Sequence, residues 1–219
     1  KVNFTVPTGN FGDIFAGYVA KKMGLPIDKL IIATNQNDIL DRVIKTGIYK
    51  IEDVKPSISP SMDIQVSSNF ERALFDIFDN DPVLVRRLMN NLQSAKEFKL
   101  NSDQTKKLQD IFKSGSSSEE ETNATMLSVH EETGVVLCPH SATGIKVAME
   151  NNKDQDIPMI VLATAAASKF PDAVMGACGI KPELPDRMSD LFERTEMLEK
   201  VPNDICKIKE VIIKGINEW

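Results

Sequence analysis

Two glycines separated by two residues lie in Pro7-Thr8-Gly9-Asn10-Phe11-Gly12-Asp13, between a strand pattern and a helix pattern. A turn of this kind lets backbone N–H groups face inward. The helix N-terminus behind it adds partial positive charge, so a phosphate can be held without Lys or Arg. The motif is neither GxGxxG nor a Walker loop, because no Gly-Lys-Ser/Thr follows. An ordinary glycine turn has the same spacing, and the residues alone leave both readings open. The Asp13 carboxylate would repel an anion if it pointed inward, so it is expected to face outward or to cap the helix.

Three further loops carry polar groups. Thr34-Asn35-Gln36-Asn37 can donate hydrogen bonds to a ligand, or can simply cap a helix through Asn37. His140 and Ser141 are neighbours, but sequential residues rarely point at each other and no G-x-S-x-G elbow is present. His140 therefore reads as a structural or ligand-lining residue rather than a catalytic base. Thr164, in Thr164-Ala165-Ala166-Ala167-Ser168-Lys169-Phe170, ends an apolar run. Its hydroxyl suits a heterocyclic nitrogen, or merely finishes a strand.

The elements that must position these loops follow from periodicity. Val2–Val6 alternates as a short strand, and a helix is expected from Asp13 to about Met23, closed by Gly24 and Pro26. Leu30-Ile31-Ile32-Ala33 reads as a strand buried on both faces, followed by a helix that Gly47 stops. From Gly47 to Gly134 the periodicity is mostly helical: Leu84, Leu88 and Leu92 fall four apart, and Leu108, Ile111 and Phe112 share a helical face. Ser116-Ser117-Ser118 before Glu119-Glu120-Glu121 looks like an N-cap followed by acids that complement the helix dipole, and a plain solvated helix start is the preferred reading of the charge run. Alternation resumes with a strand at Val135-Val136-Leu137, a helix to about Glu150, a strand at Met159–Ala163 and a helix ending near Gly179. An amphipathic helix with Ile205, Ile208, Val211, Ile212 and Ile216 closes the chain.

Four strand–helix units broken by a helical insertion imply an α/β fold with a mostly parallel sheet and flanking helices. The division expected is 1–46 and 135–219 as two parts of one α/β domain, with 47–134 as the insertion. In such sheets ligands bind beyond the carboxyl ends of the strands, where the four loops lie.

The 219 residues are 42% apolar and carry a net charge of −6, which is enough for a sizeable core and offers nothing to nucleic acid or an anionic membrane. No apolar run approaches the roughly 20 residues that span a bilayer. Cys138, Cys178 and Cys206 are odd in number and lack CxxC spacing, which fits a reducing cytoplasm. His130 and His140 are too few for a His-rich metal centre, and no metal site is assigned. The chain opens at Lys1, with neither an initiator Met nor a leader, straight into a strand pattern. A longer protein with a preceding half is the expectation.

The glycine loop resembles the phosphate loop of threonine synthases, pyridoxal 5'-phosphate enzymes of the tryptophan-synthase-β fold group (fold type II). The likeness continues through Ala16-Gly17-Tyr18, Lys21–Ile27, Ala33–Leu40, Ser59–Ile64, Ser67–Arg72, Pro139-His140-Ser141-Ala142 and Lys169–Val174, in the family's order. It implies that Gly9, Asn10, Phe11, Gly12 and Asp13 cradle the phosphate of pyridoxal 5'-phosphate, and that Thr164 faces the pyridine nitrogen. It implies a lyase of threonine biosynthesis, converting O-phospho-L-homoserine and water to L-threonine and phosphate.

The family's Schiff-base lysine belongs to a motif upstream of everything here. No catalytic residue is therefore assigned within the chain, which is expected to be inactive alone and to need an N-terminal half as its partner. Two departures touch ligand-side loops: Ala166 and Ala167 stand where the family has His and Pro, and Cys138 stands where it commonly has Asp. A related phospho-lyase that releases a 2-oxo acid is the alternative, and a non-catalytic fragment another. Met62, Asp63, Asn69, Glu71 and Arg72 either approach the substrate or fix the insertion onto the sheet.

Overall fold

A computed structural model describes residues 1–153 and 156–217. The apolar run of the second strand supplies two cores at once. Strand β1 (Val2–Pro7), helix α1 (Gly12–Lys22) and strand β2 (Ile27–Thr34) form the first crossover, and β1 and β2 pair in parallel. Along β2, Leu30 and Ile32 enter the main core, while Ile31 and Ala33 join Val147 in a second cluster on the other face. The period-two pleat explains the split.

Helix α2 (Ile39–Thr46) leads into an insertion. It contains β3 (Ile48–Lys50), α3 (Phe70–Ile77), α4 (Pro82–Ala95), β4 (Glu97–Lys99) and α5 (Ser102–Ile111). β3 and β4 pair antiparallel as a two-stranded ribbon. Tyr49 stacks between Phe98, at 4.9 Å, and Phe70, at 5.6 Å, and its hydroxyl accepts from the Ser67 N–H. Burial pushes the Tyr49 phenol up to about 12.

The chain then returns to the sheet in β5 (Phe112–Ser116), parallel to β2. It continues through α6 (Glu119–Thr133), α7 (Pro139–Asn151), β6 (Met159–Val161) and α8 (Pro171–Cys178). Among the described residues the main sheet has the order β5-β2-β1-β6, all parallel. Helix α7 packs across all four of these strands, while α2 and α5 pack on β2 and β5. The parallel sheet with flanking helices is as the sequence predicts.

Two expectations are corrected. Val135-Val136-Leu137 carries no strand; Val136 and Leu137 pack against Met126, Ala142 and Val174, so their apolar surface joins α6, α7 and α8. The third strand of the sheet is instead β5, within the stretch 47–134 expected to be mostly helical. Its sequence, Phe-Lys-Ser-Gly-Ser, carries one large apolar residue, because β2 is its sole strand neighbour. Small residues are required there. A Cβ on Gly115 would come within 2.8 Å of Val147 Cγ1, the side chain by which α7 lies against the sheet. Residues 1–183 form one compact unit.

A second unit, Leu184–Trp219, holds two single-turn 3-10 helices, Asp186–Met188 and Leu191–Glu193, and helix α9 (Ile205–Asn217). Among the described residues no helix is long and apolar enough to cross a membrane.

Of the serine run 116–118 it is Ser118 that caps α6: its hydroxyl accepts from the Glu121 N–H while the Glu121 carboxylate accepts from the Ser118 N–H. The placement of β5 is testable through Phe112, which is 1% exposed and meets Phe11 and Tyr18. Phe112→Ala should cost about 3–5 kcal/mol in urea unfolding. Lys113→Ala, one residue on and exposed, should stay within about 0.5 kcal/mol.

Candidate functional site

The glycine loop is shaped by what holds its carbonyls. The Gly9 carbonyl accepts from the Ser67 hydroxyl at 2.8 Å. The Asn10 carbonyl accepts from both the Asn69 N–H and its side-chain amide, at 3.1 and 3.0 Å. A Cβ on Gly9 would lie 2.6 Å from the Ser61 carbonyl oxygen, so only glycine lets segment 59–62 sit this close. With the carbonyls drawn to the insertion, none of the N–H groups from Gly9 to Ile14 finds an acceptor among the described residues. The N-cap of α1 is Phe11, left-handed at φ 66° and with no side-chain cap. These are the orphan donors of a helix start, an arrangement that can hold an anion.

Phe11 takes this strained conformation because its ring is core. It is 1% exposed and meets Phe70 and Phe112 edge-on at 5.1 and 5.4 Å. Phe11 can therefore offer a ligand only its backbone. Asp13 makes no side-chain cap to the helix. It lines a separate apolar hollow of about 120 Å³ beside Ala16, Gly17 and Leu162, in keeping with the expected outward turn.

The second loop is spent on structure. Asn35 and Asn37 donate to one Asp63 carboxylate oxygen at 2.7 and 3.0 Å, Ser57 donates to both Asp63 oxygens, and Gln36 donates to the Pro56 carbonyl. Asp63 thereby locks segment 55–63 to the end of β2. Asn69 and Arg72 also fix the insertion: Arg72 donates to Asn69 and lies over the Phe15 ring at 4.4 Å. Met62, by contrast, reaches the pocket described next.

That pocket, about 180 Å³, is lined by Pro7 and Gly9, by Ser61 and Met62, by His140, and by Thr164, Ala165, Lys169 and Phe170. It brings together Gly9 and Thr164, which lie at the ends of adjacent strands β1 and β6. Asn10, Gly12 and Asp13 do not line it. Thr164 is exposed, and its hydroxyl has no partner among the described residues. His140, on the first turn of α7, is 5% exposed and packs on Phe170 at 4.7 Å. Burial first, and then the Lys169 ammonium, lower its pKa, against a smaller opposing effect of Asp63.

Comparison with known proteins places these features. The family model "Threonine synthase, C-terminal" matches residues 141–212. A threonine synthase of Pseudomonas aeruginosa is 42% identical over 213 residues, which span 97% of this chain and 45% of that protein. The crystal structure of pyridoxal-phosphate-bound threonine synthase from Brucella melitensis superposes with a TM-score of 0.89 at 50% identity, covering 96% of this chain and 45% of that one. The chain matches the C-terminal part of threonine synthases. It spans a little under half the length of these relatives. A human protein named threonine synthase-like 1 is 37% identical over 98% of the chain and 31% of its own length.

Within a threonine synthase frame, the two departures occupy different places. Cys138 is 1% exposed and caps α7, its sulfur accepting from the Ser141 N–H at 3.4 Å. The thiol thus fills a capping position that suits Asp. Ala166 caps the 3-10 turn Ala167–Lys169, which carries Lys169 to the pocket wall. Sequence reading left Lys169 without a role, and neither its type nor its spacing marked it as a pocket residue.

His140 generates a pH prediction. Its folded pKa lies below the ordinary value near 6.5, so the unfolded state binds more protons as pH falls. Its contribution to stability is complete above about pH 6.5 and is lost as pH falls towards the lowered value. His140→Gln should flatten that part of the slope between pH 7.5 and 5.5 in urea midpoints.

Proposed function

We propose that this chain acts as the C-terminal part of a threonine synthase that converts O-phospho-L-homoserine and water to L-threonine and phosphate. The observation that carries this reading is the row of unpartnered N–H groups from Gly9 to Ile14, next to a pocket shared by Gly9 and Thr164. These residues fit pyridoxal 5'-phosphate. Gly9, Asn10, Phe11, Gly12 and Asp13 would hold its phosphate through their backbone, and Thr164 would face the pyridine nitrogen. Pyridoxal phosphate, when bound, supplies the electron sink for α- and β-proton removal, phosphate loss from Cγ and water addition at Cβ.

The work of this chain's own residues is to bind and orient. Backbone donors at α1 neutralise a dianionic phosphate without a mobile side chain, so the anchor does not reorganise during turnover. A threonine hydroxyl donates or accepts and leaves the protonation of a ring nitrogen open, which a carboxylate would not. Ser61 and Met62, seated by the Asp63 network, wall the pocket from the insertion side.

The lysine that anchors the cofactor is assigned to the part of the family's length that this chain does not match. The chain alone is therefore read as inactive, with a preceding half of the same protein as its partner. Its three free cysteines, Cys138, Cys178 and Cys206, suit a cytoplasmic setting.

A second reading, a phospho-lyase releasing a 2-oxo acid, draws on Ala166 and Ala167 at the turn that carries Lys169. The test uses the protein with the family's full length, pyridoxal phosphate and O-phospho-L-homoserine, and identifies the organic product. Threonine is expected; a 2-oxo acid without threonine replaces the first reading with the second. Thr164→Ala should weaken cofactor affinity about 2- to 10-fold, one hydrogen bond's worth. The 219-residue chain mixed with pyridoxal phosphate should show no absorbance band of lysine-bound cofactor.

A further inference from the structure

His140 is the most constrained polar side chain on the pocket wall, and the reading above gives it no task. It is 5% exposed, and neither ring nitrogen has a hydrogen-bond partner among the described residues. A neutral imidazole offers one N–H donor and one acceptor. Elsewhere around the strand ends such groups are satisfied: Asn35 and Asn37, equally buried, spend their amides on Asp63, Ser57, Ser59 and Lys55. An orphaned buried side chain in a native fold calls for an explanation.

Its position is not accidental. Phe170 packs against the ring, and α7 is held to the sheet by the Val147–Gly115 approach. The imidazole is therefore fixed at the wall it shares with Gly9, Ser61, Thr164 and Lys169. Lys169 is exposed, and its ammonium has no carboxylate partner among the described residues. The charged groups that act on His140 are Lys169 and Asp63. Asp63 is hydrogen-bonded by Asn35, Asn37 and Ser57, and its effect on the ring is smaller than that of Lys169. One wall of the pocket thus presents an unpaired cation beside an unpaired N–H donor.

We propose that His140 and Lys169 together bind an oxyanion, a phosphate monoester or carboxylate group of the ligand held in this pocket. Lys169 supplies the charge and His140 the directed N–H, an arrangement that favours charge-assisted hydrogen bonds. This rests on the reading of the pocket as a site for pyridoxal phosphate and an amino-acid substrate, and it adds a second anion contact to the glycine loop.

The test is an NMR titration of the His140 ring in the full-length protein, with the backbone amides of Gly9 and Gly12 followed in parallel. The probes are pyridoxal, pyridoxal phosphate, and inorganic phosphate added to the cofactor-loaded protein. An anion against the ring opposes the effect of Lys169, so the His140 pKa should rise by about one pH unit. A rise with inorganic phosphate on the loaded protein assigns the oxyanion to the substrate. A rise with pyridoxal phosphate but not pyridoxal, and no further change with phosphate, assigns it to the cofactor. Lys169→Met should weaken the responsible anion about tenfold and raise the His140 pKa of the free protein. His140→Asn, which keeps a donor, should retain more affinity than His140→Leu.

If Gly9 and Gly12 respond to pyridoxal phosphate while His140 responds to none of the probes, the ring is packing alone and the proposal is overturned. If the glycine amides are also silent, the cofactor reading fails and the proposal falls with it.

Discussion

The carbonyls of Gly9 and Asn10 are held from outside, by Ser67 and Asn69, while the Phe11 ring is held from inside by Phe70 and Phe112. Much else depends on that opposition. Pulling the carbonyls one way leaves the following N–H groups facing the other, and burying the ring forces the left-handed turn that starts α1. A lone glycine turn would relax into several conformations; this one is tied at both ends. The insertion is thus part of what shapes the glycine loop, because it supplies Ser67, Asn69 and Phe70.

A similar logic governs the end of β2. Asp63 gathers Asn35, Asn37 and Ser57, a partly buried network in which the partners of the carboxylate are all neutral. Such networks specify one arrangement when every member is satisfied. Here the result is to set Ser61 against Gly9 closely enough that no side chain fits between them. The aromatic stack of Tyr49 with Phe70 and Phe98 carries the same constraint deeper, since Phe70 also touches Phe11.

How much of this was legible in the sequence depended on whether a residue's type reported its own environment. Leu30–Ala33 announced a strand buried on both faces, and the serine run 116–118 before three glutamates announced a helix start. Both are local signals, and both hold. β5 was hidden because close approach of α7 requires Gly115, which removes the apolar pattern that marks a strand. Val135–Leu137 misled for the converse reason: helix–helix packing uses the same residues as a strand. Of the pocket's lining, Gly9 and Thr164 stood out in the sequence, the second chiefly through resemblance. Asn35, Asn37 and Asp63 looked equally suited to a ligand, because partners distant in sequence decide which polar groups remain free. His140 and Lys169 share a wall only after β6 takes its place beside β1.

That last pairing has a consequence in time. β1 finds β2 nearby in the chain, but Asn3 meets Met159 and Thr5 meets Val161 across most of the compact unit. Contacts of such separation close late, since their loop entropy must be met before they return anything. During synthesis the glycine loop leaves the ribosome on the order of ten seconds before Thr164 does, at typical elongation rates. Through that interval β1 presents an unpaired edge where β6 will lie, and the pocket beside Gly9 lacks the wall that carries Thr164. The final strand of the sheet is therefore also the step that closes the pocket.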